Sequence, residues 1–418
     1  MKVEIITIGD EILFGQTVDT NSAWLAKKLN EIGMEIARIT SIADTREAIL
    51  EALDQTKGRA AAVLMTGGLG PTSDDITKPT LCEFFNTTLE MNHDVLGRIE
   101  AFFDKVKRPM LDVNRKQAEL PRDADMLINV RGTAQGMWFE KEDQVFISMP
   151  GVPYEMRSIM RDGGLDRLKS RFNPSTIVHR TVLTQGIGES FLAEIVADWE
   201  QKIHDTEGLS LAYLPSPGLV KVRVTGRGGD RASMEAKVDA FAAELKTLVP
   251  KHVFGDDEEK LEEVVGELLK NRNMTLSTAE SCTGGAIAQM LTSVPGSSSY
   301  FLGSVVSYSN EVKQNMLGVS EQDLQNHGAV SKEVVEAMAA GIQSRTGSDY
   351  ALATSGIAGP DGGSEEKPVG TVWIAVAGPK TLKSKQFSFG TGRKRNIRKS
   401  ALTALNWLRK EIIEADFD

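Results

Sequence analysis

The chain has 418 residues, 41% of them apolar and 25% charged, with 48 basic against 58 acidic side chains and a formal net charge of −10. That length exceeds one ordinary hydrophobic core and predicts two or three domains, while the acidic balance makes a nucleic-acid partner unlikely, since neutralising phosphates takes a basic surface. The opening residues Met1-Lys2-Val3-Glu4-Ile5-Ile6 have strand character without a signal-peptide core, and no apolar run reaches membrane-spanning length, so a cytoplasmic protein with no membrane partner is expected.

In residues 1–170, apolar runs at 3–8, 36–42 and 61–65 alternate with a helical pattern marked by Leu25, Leu29 and Ile32. Short apolar runs alternating with helices predict an α/β domain with a parallel sheet covered on both faces, and ligands in such sheets bind at the carboxyl ends of the strands. Two polar segments fall there: Gly9-Asp10-Glu11, and the stretch from Thr66 to Thr77 that contains Gly67, Gly68, Gly70, Asp74 and Asp75. Exposed amides suit phosphate oxygens and carboxylates suit a hard cation, so Asp74 and Asp75 beside Gly67, Gly68 and Gly70 suit a diphosphate and its metal. The plainer alternative is a Gly-Pro turn whose aspartates cap a helix.

Residues 171–252 read strand, helix, two strands, helix, the size of a small α+β module. Gly226-Arg227-Gly228-Gly229 has the spacing of an RNA-clamping KH loop, yet it follows a strand where that loop should join two helices, so it reads as a strand-ending turn. Residues 250–259 have the polar composition of a linker running into a helix start, where acids are favoured.

Residues 253–418 are again α/β: helix 261–269, strand 276–279, helix 285–291, strand 301–307, helices to 343, strands 350–354 and 369–377, and a closing helix from about 396 to 413. Glu280-Ser281-Cys282-Thr283-Gly284-Gly285 ends a strand and opens a helix, where free N–H groups could hold an oxyanion or a phosphate. A serine needs a base. His327 reads as a helix-end residue followed by a turn, whereas Lys313, after the second strand and before Met316 and Leu317, can be desolvated enough to lose its proton. On spacing alone, Ser281 or Thr283 could equally be a helix cap, and Cys282 is a rival nucleophile. Cys82 and Cys282 fall in different domains without metal-ligand spacing, which predicts no disulfide framework or zinc site. Ser355 opens a glycine-rich loop to Gly370 long enough to close on a ligand. Gly392-Arg393-Lys394-Arg395-Asn396-Ile397-Arg398-Lys399 gathers cations at a helix start, which the macrodipole disfavours unless an anion binds.

At these residues the chain resembles a known family. Residues 279–285, 308–313, His327-Gly328-Ala329-Val330-Ser331 and 355–370 closely resemble the nicotinamide mononucleotide deamidase family, the C-terminal domain of CinA (competence/damage-inducible) proteins. The resemblance implies hydrolysis of nicotinamide mononucleotide to nicotinate mononucleotide and ammonia without a cofactor, with Ser281 as nucleophile, Lys313 as base and Tyr308 assisting. It implies that Thr283, Gly284, Gly285, Ser355, Gly356 and Gly359 line the site and that Arg393 and Arg398 are candidates for the phosphate. Many relatives place the first arginine four residues before the second, whereas here Arg393 stands five before Arg398 and Arg395 three, so the choice of arginine stays open. Gly9 to Leu13, Thr66 to Thr77 and Met149 to Met156 resemble the molybdopterin-binding-like N-terminal domain of the same family, with a KH-like connector between. That implies an ADP-ribose pyrophosphatase using magnesium, manganese or cobalt with potassium, with Asp10, Glu11, Asp74 and Asp75 as metal ligands or a water-orienting carboxylate, or a catalytically silent platform, in a homodimer. A competence or DNA-damage accessory role is the remaining alternative.

Overall fold

The computed structural model describes residues 1–72 and 75–415. They form two compact units: Met1–Val178 with Gly226–Glu235, and His179–Thr225 with the chain from Ala236 onward. The strands are β1 (Lys2–Ile8), β2 (Glu35–Ile42), β3 (Ala62–Thr66), β4 (Leu89–Met91), β5 (Glu119–Pro121), β6 (Asp125–Leu127), β7 (Gly136–Lys141) and β8 (Gln144–Met149) in the first unit. They continue as β9 (Ile177–Gln185), β10 (Leu209–Ser216), β11 (Leu219–Arg227), β12 (Val253–Asp256), β13 (Leu276–Glu280), β14 (Phe301–Val306), β15 (Tyr350–Gly356), β16 (Thr371–Ala377) and β17 (Leu382–Ser388).

The first unit is built on a six-stranded sheet in the order β2-β1-β3-β8-β7-β6. Successive side chains of a strand face opposite sides. Val3 and Ile5 of β1 and Ala62 and Leu64 of β3 therefore enter one core with Leu25 and Leu29. Ile6, Ile8, Val63 and Met65 enter the other with Ile49 and Leu81. This is the α/β layering expected from the apolar runs. The sheet is not wholly parallel, however: β2, β1, β3 and β8 run parallel, while β7 and β6 turn back antiparallel. The hairpin between β7 and β8 crosses at Glu142, which adopts a positive φ of 55°, and no local sequence period marks such a reversal.

The second unit carries two sheets, β10-β11-β9-β12 and β14-β13-β15-β16-β17. The segment 250–259 is more than a linker. Val253 and Phe254 lie in β12, which pairs antiparallel with β9, and Phe254 enters the same core as Leu183, Leu261, Leu276, Ile374 and Leu405. The helix expected over 191–203 is broken into Glu189–Ile195 and Ala197–His204 at Val196, whose φ and ψ of −105° and 17° lie outside the helical basin. Gly226-Arg227-Gly228-Gly229 ends β11 in a turn, with Gly228 and Gly229 at positive φ.

In the five-stranded sheet β14, β13 and β15 are parallel, and β15, β16 and β17 antiparallel. Helix Lys332–Thr346 covers one face through Val334, Val335, Met338, Ala339 and Ile342. Helices Leu261–Asn271 and Arg393–Glu414 contribute Val265, Leu269, Ala401, Leu405 and Leu408 to the core on the other. Glu280 of β13 is in register with Val306 of β14 and Thr354 of β15. The residues that follow, Ser281, Ser307 and Ser355, therefore emerge together at one edge, which is the carboxyl end of three parallel strands.

Candidate active site

The backbone locks this edge before any side chain is considered. The Ser281 amide donates to the Thr354 carbonyl at 2.9 Å, and the Ser307 amide donates to the Glu280 carbonyl at 2.8 Å. Ser309 then caps the next helix by accepting from Val312 N–H, and the helix runs Asn310–Leu317. Its first turn aims Lys313 back at the sheet. Lys313 is 1% exposed, and its Nζ stands 3.0 Å from Ser281 Oγ and donates to the Ser307 carbonyl at 2.7 Å. The two residues singled out from sequence as nucleophile and base are thus in direct contact, 32 positions apart in the chain.

The helix bearing Lys313 is held down by a close approach. A Cβ at Gly341, in helix Lys332–Thr346, would fall 1.8 Å from the Leu317 carbonyl oxygen, so only glycine lets these two helices meet. Burial lowers the Lys313 ammonium below the ordinary lysine range, with the neighbouring Cys282 sulfur opposing the shift. Removing a cation from water disfavours its charged form. Burial acts the other way on Cys282, which is pushed up to about 12 and so stays a neutral thiol. A nucleophilic thiolate is therefore disfavoured, because it is the deprotonated sulfur that attacks.

The glycines after Ser281 do what their conformation demands. Gly284 and Gly285 have φ of 62° and 96°, the left-handed region that side chains resist. The expectation of free N–H groups at this helix start is corrected in one respect. The fully buried Glu280 carboxylate accepts from Gly285 and Ile287 through Oε2 and from Ala288 through Oε1, at 2.8 to 3.1 Å. It occupies the donors of helix Ala286–Thr292, which are thereby withdrawn from any substrate. Among the described residues the Thr283 amide donates to no backbone or side-chain partner, whereas the Cys282 amide contacts its own side-chain sulfur. Thr283 spends its hydroxyl on Thr354, 2.7 Å away, rather than on a cap.

The other predicted residues divide. Tyr308 is exposed, and its hydroxyl accepts from Arg393 at 3.1 Å, with no bond to Ser281 or Lys313. Arg393 also donates to the Gly359 carbonyl at 2.9 Å, so this arginine ties the turn after β14 to the glycine-rich loop after β15. Arg398 is exposed, and Arg395 lines a different cleft. Ser355 is buried and donates its hydroxyl to the Ala329 carbonyl at 2.6 Å, away from Ser281. Gly356 stays within β15, opposite Val372. Glu280 as an internal cap and the Ser307 carbonyl as the second partner of Lys313 were not found from sequence. Both are contacts within eight residues in the chain, set by the turns after β13 and β14, and the carboxylate shortly before a helix start is the one visible hint.

In the first unit the described carboxylates of the polar loops are spread over separate places. Asp75 turns inward, accepting from Gly70 N–H at 2.8 Å and from the Thr72 amide and hydroxyl at 2.9 and 2.5 Å. That is the turn-stabilising role of an aspartate after Gly-Pro. Asp74 lies outside the described residues. Asp10 and Glu11 are exposed at the short helix Asp10–Leu13, and no cluster of three or more His, Cys, Asp or Glu that could hold a metal occurs among the described residues. Gly67 and Gly68 serve close approach: a Cβ would meet the Ile8 carbonyl oxygen at 1.9 Å and Thr77 Oγ1 at 2.0 Å, respectively. Glu11 borders a small cavity of about 90 Å³ shared with Asn21 and Thr66.

Comparison with known proteins gives a match along nearly the whole chain. Residues 4–170 match the family described as "Probable molybdopterin binding domain", 179–255 "Damage-inducible protein CinA KH domain", and 258–412 "CinA C-terminal domain". A "CinA-like protein" of Cytophaga hutchinsonii is 46% identical, with 98% of each chain covered. One of Flavobacterium psychrophilum is 44% identical over 99% of each. Among solved structures, the competence/damage inducible protein CihA of Agrobacterium tumefaciens is 39% identical, covering 35% of this chain and 91% of that one at a TM-score of 0.35.

Proposed function

The chain belongs to the CinA family, and from that premise we propose that its second unit is a serine amidohydrolase converting nicotinamide mononucleotide to nicotinate mononucleotide and ammonia. The observation that carries this reading is the buried Lys313 with Nζ 3.0 Å from Ser281 Oγ. A neutral lysine has two protons and a lone pair. One proton stays on the Ser307 carbonyl, which leaves the lone pair to receive the Ser281 proton as Oγ attacks the amide carbon.

The tetrahedral intermediate carries an oxyanion, for which the unpartnered Thr283 amide and the adjacent Cys282 amide are the nearest backbone donors in sequence. Collapse expels ammonia, which takes the proton held by Lys313, and leaves an ester on Ser281. Water then attacks that ester with Lys313 again as base, releasing the carboxylate and restoring the serine. Arg393, anchored by Gly359 and Tyr308, is the arginine assigned to the substrate phosphate. Ammonia release by purified Ser281→Ala and Lys313→Ala tests the dyad: both should fall by at least about a thousandfold, while Cys282→Ala keeps most activity. Full activity in either dyad variant would refute it.

For the first unit the family resemblance supports metal-dependent ADP-ribose hydrolysis, although no group of three or more His, Cys, Asp or Glu converges among the described residues. AMP release from ADP-ribose with magnesium, manganese or cobalt and potassium, measured on the Ser281→Ala chain, tests that reading separately.

A further inference from the structure

The cation cluster at the start of the last helix is only partly absorbed by the Ser281 site. Arg393 faces Tyr308 and Gly359, but Arg395 and Lys399 turn to another side of helix Arg393–Glu414, where they line a cleft of about 890 Å³ with Lys385 and Lys410. Glu189 is the one carboxylate on its lining. Four cations against one anion is an unusual concentration of positive charge in a chain whose net charge is −10.

The same cleft presents three aromatic rings, Phe387, Phe389 and Trp407. Phe387 and Phe389 lie nearly parallel at 5.7 Å between centroids, and Trp407 meets Phe387 edge-on at 6.3 Å. The floor is polar and fixed: buried Asn406 donates to Gln185 Oε1 at 2.6 Å, and Gln185 donates to Thr403 Oγ1 at 3.2 Å. The opposite wall comes from the turns Gly186-Ile187-Gly188 and Pro215-Ser216-Pro217-Gly218. Gly218 has a φ of 90°, the left-handed region that favours glycine, and an added Cβ would lie at ordinary contact distance from Leu402 and Lys399.

We infer that this cleft is a second nucleotide site, binding a nucleoside di- or triphosphate with its phosphates on Lys385, Arg395, Lys399 and Lys410 and its base against the Phe387, Phe389 and Trp407 rings. The volume falls in the range of small-molecule pockets. Arg395 lies in the first turn of helix Arg393–Glu414, where the macrodipole disfavours a cation unless an anion binds, and a ring platform beside the cations selects a phosphate that carries a base. Consistent with this, burial together with the neighbouring cation Arg395 lowers Lys399, and burial with Arg409 and Lys385 lowers Lys410. Both lysines are held in surroundings that an anion would relieve.

The test uses the full chain. Calorimetric titration with ATP should show saturable binding that weakens with salt. Lys399→Glu with Lys410→Glu should weaken it by about tenfold or more, the loss of roughly one charge-assisted contact, while Lys399→Arg with Lys410→Arg keeps it. Trp407→Leu should weaken ATP but not inorganic triphosphate. Photolabelling with 8-azido-ATP should mark peptides from residues 385–410, and a thermal melt checks that each variant is folded. The inference is overturned by no saturable ATP binding, by label confined to the first unit or to the Ser281 segment, or by inorganic triphosphate binding as tightly as ATP. A single-stranded oligonucleotide displacing ATP with tenfold or greater preference would equally overturn it. None of these readings depends on ammonia release, so the amidase proposal stands or falls apart from this one.

Discussion

A lysine buried to 1% exposure beside a serine carries a cost that shows in both rate and stability. Its lowered proton affinity comes first from burial. The base must be neutral, so the rate of ammonia release should rise with pH along a limb set by Lys313, lying below the ordinary lysine value of about 10.4. The stability effect has a definite sign. Below the folded-state pKa both folded and unfolded chains hold the proton, and the burial cost is felt in full. Between that pKa and the unfolded value the unfolded chain holds more protons, so stability rises with pH. Lys313→Met should therefore abolish activity yet leave the urea midpoint at neutral pH unchanged or higher, and should flatten its alkaline rise. A variant markedly less stable at neutral pH would mean that the contact with Ser307 outweighs desolvation.

Glu280 makes the opposite case at the same scale. Its carboxylate satisfies three amides inside the protein, and charge-assisted bonds of this kind leave a large penalty when only the acceptor is removed. Glu280→Ala is expected to cost about 2–4 kcal/mol by denaturant midpoint. Glu280→Gln, which keeps one acceptor oxygen, should cost less. Equal losses would show that the charge rather than the hydrogen bonding supports the turn.

At the level of elements, the site depends on two helices meeting at a glycine. Gly341→Ala would push an added methyl onto the Leu317 carbonyl, and a packed core has no room to absorb it. Helix Asn310–Leu317 must then shift and carry Lys313 away from Ser281. We expect a loss of about 1–3 kcal/mol in stability and a fall in kcat larger than the change in KM, since the base moves while Arg393 does not. An unchanged kcat would show that the helix pair does not position the base.

Elements were legible in the sequence where burial wrote a period. β15 is buried over Tyr350–Ser355 and β16 over most of Thr371–Ala377, and their runs of apolar residues mark them in the sequence, while β13 is marked by the Ser281 turn that ends it. β17 was missed because it reads Leu-Lys-Ser-Lys-Gln-Phe-Ser at the edge of its sheet, exposed along most of its length. β12 was missed because Val253 and Phe254 sit among polar residues and owe their strand to pairing with β9. The contact of Lys313 with Ser281, 32 positions apart, needs the fold to bring distant segments together. Those of Glu280 with Gly285, Ile287 and Ala288, and of Lys313 with Ser307, lie within eight residues and depend on the detailed geometry of the turns after β13 and β14. The Asp75 turn onto Gly70 and Thr72 is the plainer reading its sequence offers.

For the molecule as a whole, the consequence of the shared core is cooperativity. Leu183 and Phe254, from the segment matching the KH domain, lie in one buried cluster with Leu261, Leu276, Ile374 and Leu405 from the C-terminal domain. Residues in a common core lose their burial together, because exposing either side strips apolar surface from the other. Trp199 reports on the first of these segments, fully buried against Phe241 and donating to its carbonyl at 3.1 Å, and Trp373 on the second, within β16. In chains retaining only one of these tryptophans, the two urea transitions should coincide in midpoint and slope, as a single cooperative step requires. Leu183→Ala, which opens a cavity in the cluster, should lower both midpoints together by the equivalent of about 2–4 kcal/mol. Separate midpoints, or a Leu183→Ala shift confined to the Trp199 signal, would mean that the connector folds on its own and that the Ser281 site owes it nothing.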